Sequence, residues 1–401
     1  MKVAVFCKEC NSKLMLDEAL VETIEKCPVC GASFRSGAPA VAGTSTESKN
    51  TCSGVVVEWS ANGDDCGHVA PLVQEMQVDA EPVVDNNNPN DDFEIVLGRL
   101  RKYKGAGGNV TIPKNVVAID AKAFFNCKTI QKLIVSDGVR TIGDKAFFGC
   151  DSLVEVSIPD SVTSIGEGVF IGSKLQGINV DERNRTYCSI DGDLYTKDKT
   201  TLLQVCAGKS TAAMMLPAGV KKIAPYAFFD CKHLQKIILP ESVQEIGAHA
   251  FYNCLKLHQI DNSSGLRTIG VGAFAWCKKL CEFTVPENCT IIEEKAFEHC
   301  SCLEHVFISS GVTKIGVGAF LDCISLQKAC FAIRGGWFAD GESVSQTILS
   351  NEKKAAKLLR ETYVGMTWTY GKNVSKKEGR ASAKKESIFG NDLRELVGRN
   401  L

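Results

Sequence analysis

One apolar pattern recurs along the centre of the chain. A short apolar strand is followed by Ile-Gly, then by Ala-Phe and by Cys, as in Ile246-Gly247, Ala250-Phe251 and Cys254. Eight phenylalanines keep this register at intervals of 23 residues, apart from one interval of 58, which is 23 plus an insertion of 35. They are Phe124, Phe147, Phe170, Phe228, Phe251, Phe274, Phe297 and Phe320. A unit of 23 residues cannot bury a core alone, so the units must stack into a solenoid.

The strand of each unit alternates between two faces. In Leu133-Ile134-Val135 the first and third side chains point to the core and the second points outward. Strands of successive units pair in register as a parallel sheet, which gives one inward and one outward column. The inward positions are Leu133, Val156, Ile178, Ile237, Ile260, Phe283, Val306 and Ala329. The outward positions are Ile134, Ser157, Asn179, Ile238, Asp261, Thr284, Phe307 and Cys330.

This outward column is the predicted partner-binding surface, on the concave sheet of the solenoid. Ile134, Ile238 and Phe307 are apolar where the side chain faces solvent, and apolar anchors with polar neighbours are typical of a protein interface. Two alternatives remain open. The insertion near Asp191 covers these side chains, or they are single exposed apolar residues of no special role.

The remaining repeat positions have structural explanations. Ala fits a tight corner, and each Phe stacks on the Phe of the next unit to form an apolar spine. The cysteines of the repeats are expected to be small buried side chains, because free Cys is among the most buried residue types. Prolines follow the strands, where a missing N–H donor is tolerated.

These units resemble the BspA-type leucine-rich repeat family, whose pattern Ile158-Pro159 through Val162 to Ile165-Gly166 matches closely. The resemblance implies a mainly β repeat solenoid, a right-handed leucine-rich repeat with a parallel concave sheet, over residues 92–370. It also implies an amino-terminal cap, a hairpin insertion at about 181–215 and a carboxyl-terminal cap with a helix over 352–361. Many members of the family bind proteins at cell surfaces.

Two C-x2-C pairs, Cys7 with Cys10 and Cys27 with Cys30, lie sixteen residues apart in the first 35 residues. This spacing predicts one structural Zn²⁺ held by four thiolates in a closed tetrahedron. A redox pair is the alternative, but the βαβ context of such pairs is missing. Residues 1–35 resemble the zinc ribbon family, and zinc ribbons bind nucleic acid or protein.

The flanking segments differ in charge from the repeats. Residues 36–91 are rich in Gly, Ser, Asn and acidic side chains, and we expect a flexible acidic linker with a lone strand at 55–59. Residues 371–401 hold eight basic and four acidic side chains, which favours a flexible basic tail. With no signal peptide expected from the first residues, we place the chain in the cytoplasm, with surface display as the alternative.

Catalytic patterns are missing from the sequence: the six histidines follow no H-E-x-x-H pattern, and no G-x-S-x-G occurs. The sequence therefore favours a monomeric, non-enzymatic scaffold that binds a protein partner, with the zinc ribbon as a second interaction module. The alternatives are a zinc-ribbon protein that binds nucleic acid, with an accessory solenoid, and an adhesin exported without a recognisable signal.

Overall fold

The structure is a computed structural model that describes residues 92–371 in full. Nearer the amino terminus it describes the backbone of three strands, Lys2–Cys7, Ser12–Asp17 and Val56–Trp59. Lys2–Cys7 pairs antiparallel with Ser12–Asp17 and parallel with Val56–Trp59. The prediction of a lone strand at 55–59 is therefore wrong, because the backbone groups of this strand find their partners in a three-stranded sheet. The rest of the predicted linker and the tail from 372 onward lie outside the described residues.

Ten longer strands, one from each coil, form the sheet that the sequence assigns to the concave side. They are Gly108–Thr111, Ile130–Ile134, Glu155–Ile158, Gly177–Val180, Ala213–Met215, Lys236–Ile238, Gln259–Asp261, Glu282–Thr284, His305–Ile308 and Lys328–Phe331. Neighbours pair in parallel in groups of four, three and three strands. One break between groups lies at the insertion, and the other follows Asp261. The predicted parallel pairing of successive repeats is confirmed.

A second ladder of two-residue strands runs along the Ile-Gly positions. Its members are Ala118–Ile119, Thr141–Ile142, Ser164–Ile165, Lys222–Ile223, Glu245–Ile246, Thr268–Ile269, Ile291–Ile292 and Lys314–Ile315. Glycine follows several of these strands because the coils approach closely there. A Cβ placed on Gly143 would lie 2.4 Å from the backbone nitrogen of Ala121 in the preceding coil.

The corner that follows each short strand is a series of tight turns. Two positions in each corner have positive φ, for example Lys145 at 54° and Gly149 at 72°. Alternate N–H groups of the corner donate to the next coil, as Phe147 does to the carbonyl of Val169 at 3.0 Å, while those of Ala146 and Phe148 donate within their own corner. The corners therefore hydrogen-bond from coil to coil although they contain no strand.

The phenylalanine of each corner stacks on its neighbours. The ring centroids of Phe228, Phe251 and Phe274 are separated by 4.5 and 5.1 Å, and all three side chains are fully buried. The predicted apolar spine is thus confirmed in both halves of the solenoid. Tyr103 of the amino-terminal cap continues it, with its ring 4.9 Å from that of Phe124.

The insertion forms three strands, Tyr187–Ile190, Asp193–Thr196 and Thr201–Gln204, in an antiparallel arrangement. Thr201–Gln204 then pairs in parallel with the short strand of the next coil. Leu194 packs in the core of the first half and Tyr195 in the core of the second half. The middle strand of the insertion therefore separates the two apolar cores and contributes a side chain to each.

Both ends of the solenoid are closed by reversed strands. The hairpin Phe93–Val96 and Arg99–Tyr103 precedes the first coil. Trp337–Ala339, Glu342–Ser343 and Trp368–Tyr370 follow the last coil, and Trp368–Tyr370 runs antiparallel to Lys314–Ile315. These caps agree with the expected ones.

The helical part of the carboxyl-terminal cap lies against the last long strand. It consists of two α-helices, Gln346–Leu349 and Glu352–Lys357, and a π-helical turn, Leu358–Thr362. The predicted single helix over 352–361 is thus α-helical only in its first half. Within residues 92–371, no helix has the length and apolar character needed to cross a membrane.

Candidate binding surface

The structure brings the predicted outward column together in three parts, one in each long-strand sheet. Ile134 pairs with Ser157 and Ser157 with Asn179, while Ile238 pairs with Asp261. Thr284, Phe307 and Cys330 are register partners in the last sheet. Consecutive strands therefore place these side chains on one face of the long-strand sheets.

The inward and outward columns differ in the exposure of their side chains. Seven of the eight inward side chains are at most 3% exposed, and Ile260 is partly buried against the core. Every outward side chain is partly or fully exposed. Ile134 is 39% exposed, and Ile238 and Phe307 are partly exposed. The face therefore presents apolar surface at intervals along the column.

Charged side chains beside the column pair with one another. Lys132 Nζ lies 3.0 Å from a carboxylate oxygen of Glu155, and Lys236 Nζ lies 3.0 Å from Asp261. Asn179 donates a side-chain hydrogen bond to Glu155 at 3.1 Å. These exposed pairs contribute little to stability, but they keep the polar surround of the apolar positions close to neutral.

A cavity of about 280 Å³ lies at the first break of the long-strand sheet. Its lining residues are Ile190, Asp191, Asp193, Tyr195, Val205, Cys206, Ala207, Lys209, Thr211, Ala213, Met214, Met215, Pro217, Phe228, Cys231, His233 and Leu234. The insertion provides one wall and the strand Ala213–Met215 provides the other. The cavity therefore opens next to the outward column.

A nearly buried ion pair fixes the insertion side of this cavity. Lys209 Nζ lies 2.6 Å from Asp193 Oδ1 and donates a hydrogen bond to the carbonyl of Asp191. Asp193 Oδ1 also accepts from the backbone N–H of Cys206 at 2.8 Å. Burial raises the pKa of the Asp193 carboxyl, while its bonds to Lys209 and Cys206 act in the opposite direction. With these partners both side chains have a structural role.

The family of the chain follows from the repeats. The family model described as the BspA type leucine rich repeat region matches in six copies, over residues 105–190 and 204–327. The chain belongs to the BspA-type leucine-rich repeat family. These ranges are more than half of the sequence, and the gap between them, residues 191–203, lies within the insertion.

A solved structure agrees with the fold of these BspA-type repeats, and a second is similar in sequence. The pneumococcal vaccine antigen PcpA is 27% identical, with a TM-score of 0.52, and the match covers 56% of this chain and 56% of that chain. A leucine rich cell surface protein from Faecalibacterium prausnitzii is 23% identical, with a TM-score of 0.41, over 59% of this chain and 90% of that chain. The chain thus spans little more than half of the PcpA structure. The curated proteins contain no match.

Burial at the corners of the BspA-type repeats favours the protonated form of the cysteines there. Burial raises the pKa of Cys254, Cys277 and Cys300 well above its usual range. Each thiol donates a hydrogen bond to the carbonyl of a phenylalanine one coil earlier, as Cys277 does to Phe251 at 3.2 Å. Residues 92–371 hold no cluster of metal-ligating side chains. A thiolate for catalysis or metal binding is therefore disfavoured at these positions.

His249 is the most perturbed histidine of the repeats. Its ring is stacked on Tyr226 at 5.3 Å, and burial lowers its pKa to about 4. The Nδ1 atom has no hydrogen-bond partner in the described chain. No carboxylate is bonded to the ring to orient it, so the arrangement lacks the pairing that general-base catalysis requires.

The predicted zinc ligands fall mostly outside the described residues. Cys7 ends the strand Lys2–Cys7 and is the register partner of Ser12, whereas Cys10, Cys27 and Cys30 lie outside. Cys10 lies in sequence between two antiparallel strands. The zinc site therefore remains a prediction.

Two members of the outward column were missed by the sequence reasoning. Thr111 is the register partner of Ile134, and Met215 is the register partner of Ile238. Met215 is the most exposed large apolar side chain of the column, at 72%. The signal was present in Leu216-Pro217, which repeats Leu239-Pro240 one unit later. The insertion hid it, because the corner phenylalanine of that coil is absent.

Proposed function

We propose that this protein is a non-enzymatic scaffold that binds a protein partner on the long-strand face of its repeats. The supporting observation is the outward column, in which Ile134 is 39% exposed in register with Ser157 and Met215 is 72% exposed in register with Ile238. Exposing apolar surface of this kind to water costs free energy, and this free energy is regained when a partner covers the surface. Long parallel arrays of solenoid strands supply an extended surface for such a partner.

The double substitution Ile238→Asp with Phe307→Asp tests this proposal. Two buried charges at the interface would lower the yield of crosslinked partner by about tenfold or more, since central apolar anchors carry most binding energy. The measurement is crosslinking mass spectrometry of the full chain in its native cell. The circular dichroism spectrum and melting temperature are expected to stay unchanged, because both side chains are partly exposed.

Ile324→Asp is the matched control. Ile324 is 71% exposed, but it lies in a turn outside the column. Partner yield should not change in this variant. Undiminished capture by the double variant would place the interface on another face, the amino-terminal segment or the tail.

We further propose that residues 1–35 are a zinc ribbon serving as a second interaction module. The support is the spacing of Cys7, Cys10, Cys27 and Cys30, together with the chain reversal between Cys7 and Ser12. Four thiolates would hold one Zn²⁺ in a closed site whose only role is to hold the fold. We expect one zinc per chain, lost in the variant Cys27→Ser with Cys30→Ser and kept in Cys52→Ser with Cys66→Ser. Equal zinc content in all three proteins would refute the assignment.

We also place the scaffold in a reducing compartment, the cytoplasm. The thirteen cysteines between residues 92 and 371 are free, and several buried thiols act as hydrogen-bond donors. Such donors require the S–H form. Thiol titration of denatured protein from native cells should find these cysteines reduced, and disulfides among them would favour surface display instead.

A further inference from the structure

Two strands face each other across the first break of the long-strand sheet. Gly177–Val180 ends the first group, and Ala213–Met215 begins the next. The edge of Gly177–Val180 is occupied by the insertion. The N–H of Ile178 donates to the carbonyl of Gly192 at 2.9 Å, and its carbonyl accepts from the hydroxyl of Ser189 at 2.6 Å.

The strand Ala213–Met215, which we name the open strand, differs at its corresponding edge. In the next coil the equivalent edge is paired, since the N–H of Lys236 donates back to the carbonyl of Ala212 at 3.0 Å. The open strand pairs only with the strand that follows it. Within the described repeat region, the N–H and C=O groups of Ala213 and Met215 have no hydrogen-bond partner. An unpaired strand edge is a template for another strand.

The cavity lies beside this edge. The open strand and the turn Ile190 to Asp193 both line it, so it is a slot between the two. Tyr195, Val205 and Leu234 supply apolar walls. Its volume of about 280 Å³ is at the lower limit of small-molecule pockets, about 300 to 1,000 Å³. That size suits one or two side chains.

We infer that a partner protein inserts an extended peptide along the open strand and places an apolar side chain in the cavity. This inference rests on the proposed function and specifies how the partner is held. Backbone hydrogen bonds from Ala213 and Met215 supply affinity, and the cavity supplies specificity. A peptide would lie along the edge as a single strand, with only one side chain in the cavity, whereas the edge of a second solenoid belongs to a rigid sheet that the turn at Asp191 would obstruct.

Proline and alanine substitutions of Met215 distinguish the contribution of its backbone N–H from that of its side chain. Met215→Pro removes the N–H that faces the slot and leaves the bonds to the next coil, and proline is tolerated on edge strands. Met215→Ala keeps the N–H and removes the exposed side chain. Ala207→Phe fills the cavity, and Ala218→Phe is its control, since Ala218 is exposed and does not line the cavity.

The probe is a phage-displayed library of short random peptides, panned on the full-length chain, with enriched peptides then synthesised. We expect their affinity to fall by about tenfold or more in Met215→Pro and Ala207→Phe, and by about twofold or less in Ala218→Phe. Met215→Ala should weaken binding less than Met215→Pro, because the alanine variant loses the side chain but keeps the backbone N–H. N-methyl groups can be placed on the odd-numbered or on the even-numbered residues of the peptide. Only one of these two patterns should abolish binding, because every second N–H of a strand points to the neighbouring strand.

Several outcomes would overturn the inference. A library without enriched peptides would do so, and so would peptides that bind Met215→Pro as well as the wild type. Peptides lost only in Ile238→Asp with Phe307→Asp would preserve the proposed function and remove the open strand from it. Slow hydrogen exchange of the ¹⁵N-labelled Met215 amide without peptide would also overturn it, because another part of the protein would then occupy the open strand. Exchange that depends on protein concentration identifies a second copy, and exchange that speeds up on deletion of residues 372–401 identifies the tail.

Discussion

The buried cysteine found in most repeats combines two properties that suit the corner. Its side chain fits the corner, and its thiol supplies a weak donor to the coil before it. The third unit shows what changes with a different donor. The hydroxyl of Ser173 donates to Phe170 of its own coil at 2.7 Å, whereas the thiol of Cys150 reaches Phe124 of the preceding coil at 3.2 Å. The longer S–H bond thus contributes to contact between coils.

Cys289 gives a pH prediction at this scale. Most other coils have valine at its position, as at Val243 and Val312, and burial raises the pKa of the Cys289 thiol to about 11. An unfolded thiol ionises near pH ~8.5, so stability present below that pH is lost as the pH rises toward 11. The loss reaches about 1.4 kcal/mol per pH unit.

Cys289→Val should remove this loss. Urea unfolding at pH 7 to 10 measures it as a free-energy difference between wild type and variant that grows with pH. Other buried thiols remain in both proteins, so their contribution cancels in the comparison. Parallel curves for the two proteins would show that Cys289 is ionised equally in the folded and unfolded chain.

At the scale of the elements, the corners bind the coils together as much as the strands do. Strands of two residues supply few backbone bonds, but the corners add N–H donors to the next coil and one stacked phenylalanine each. Left-handed positions make this possible. They are occupied by glycine and also by Lys145, His249 and Asn253, whose strain the neighbouring coils must offset.

Phe251→Ala tests the energetic weight of a corner. The ring is fully buried between Phe228 and Phe274, so truncation should cost about 3 to 5 kcal/mol in the free energy of unfolding. Phe307→Ala is the control, because its ring is partly exposed on the long-strand face, and it should cost about 1 kcal/mol or less. Equal losses in urea titrations of the two variants would contradict a spine in the core.

The elements that could be predicted from the sequence are those with a repeating apolar signal. Inward residues such as Leu133 and Val306 and the spine follow from periodicity, whereas the caps follow from the family resemblance. The open strand could not be predicted in the same way, because a strand edge depends on which neighbour is missing. The π-helical turn after Lys357 could not be predicted from the apolar pattern either, since the apolar positions in that segment fit an α-helix equally well.

At the scale of the whole molecule, the insertion divides the solenoid into two cores that share one strand. Adjacent residues of that strand, Leu194 and Tyr195, face opposite halves. Stability in repeat proteins comes mainly from contacts between neighbouring repeats. A destabilising substitution on one face of the shared strand should therefore affect mainly the coils on that side of the insertion. The family resemblance predicts the hairpin, but its position between two cores is visible only in the structure.

Paired substitutions in this strand make the division measurable. Leu194→Ala should speed amide exchange mainly in the coils before the insertion, and Tyr195→Ala mainly in the coils after it. Both side chains are about 1% exposed, so each loss should be on the order of 2 to 5 kcal/mol. Faster exchange spread evenly over both halves in either variant would mean that the cores behave as one unit.

The reversed strand at the carboxyl-terminal end has a consequence for assembly. A stack of parallel coils ends in a surface that matches the start of another stack, and such surfaces allow chains to add head to tail without limit. Trp368–Tyr370 runs against this direction, and the helix Glu352–Lys357 lies over the last long strand. Loss of residues beyond Thr362 would therefore leave the edge of Lys314–Ile315 open to another strand, whereas the amino-terminal hairpin would still close the other end. Two truncated chains could then meet at this edge, but a chain of many copies would also require loss of the hairpin.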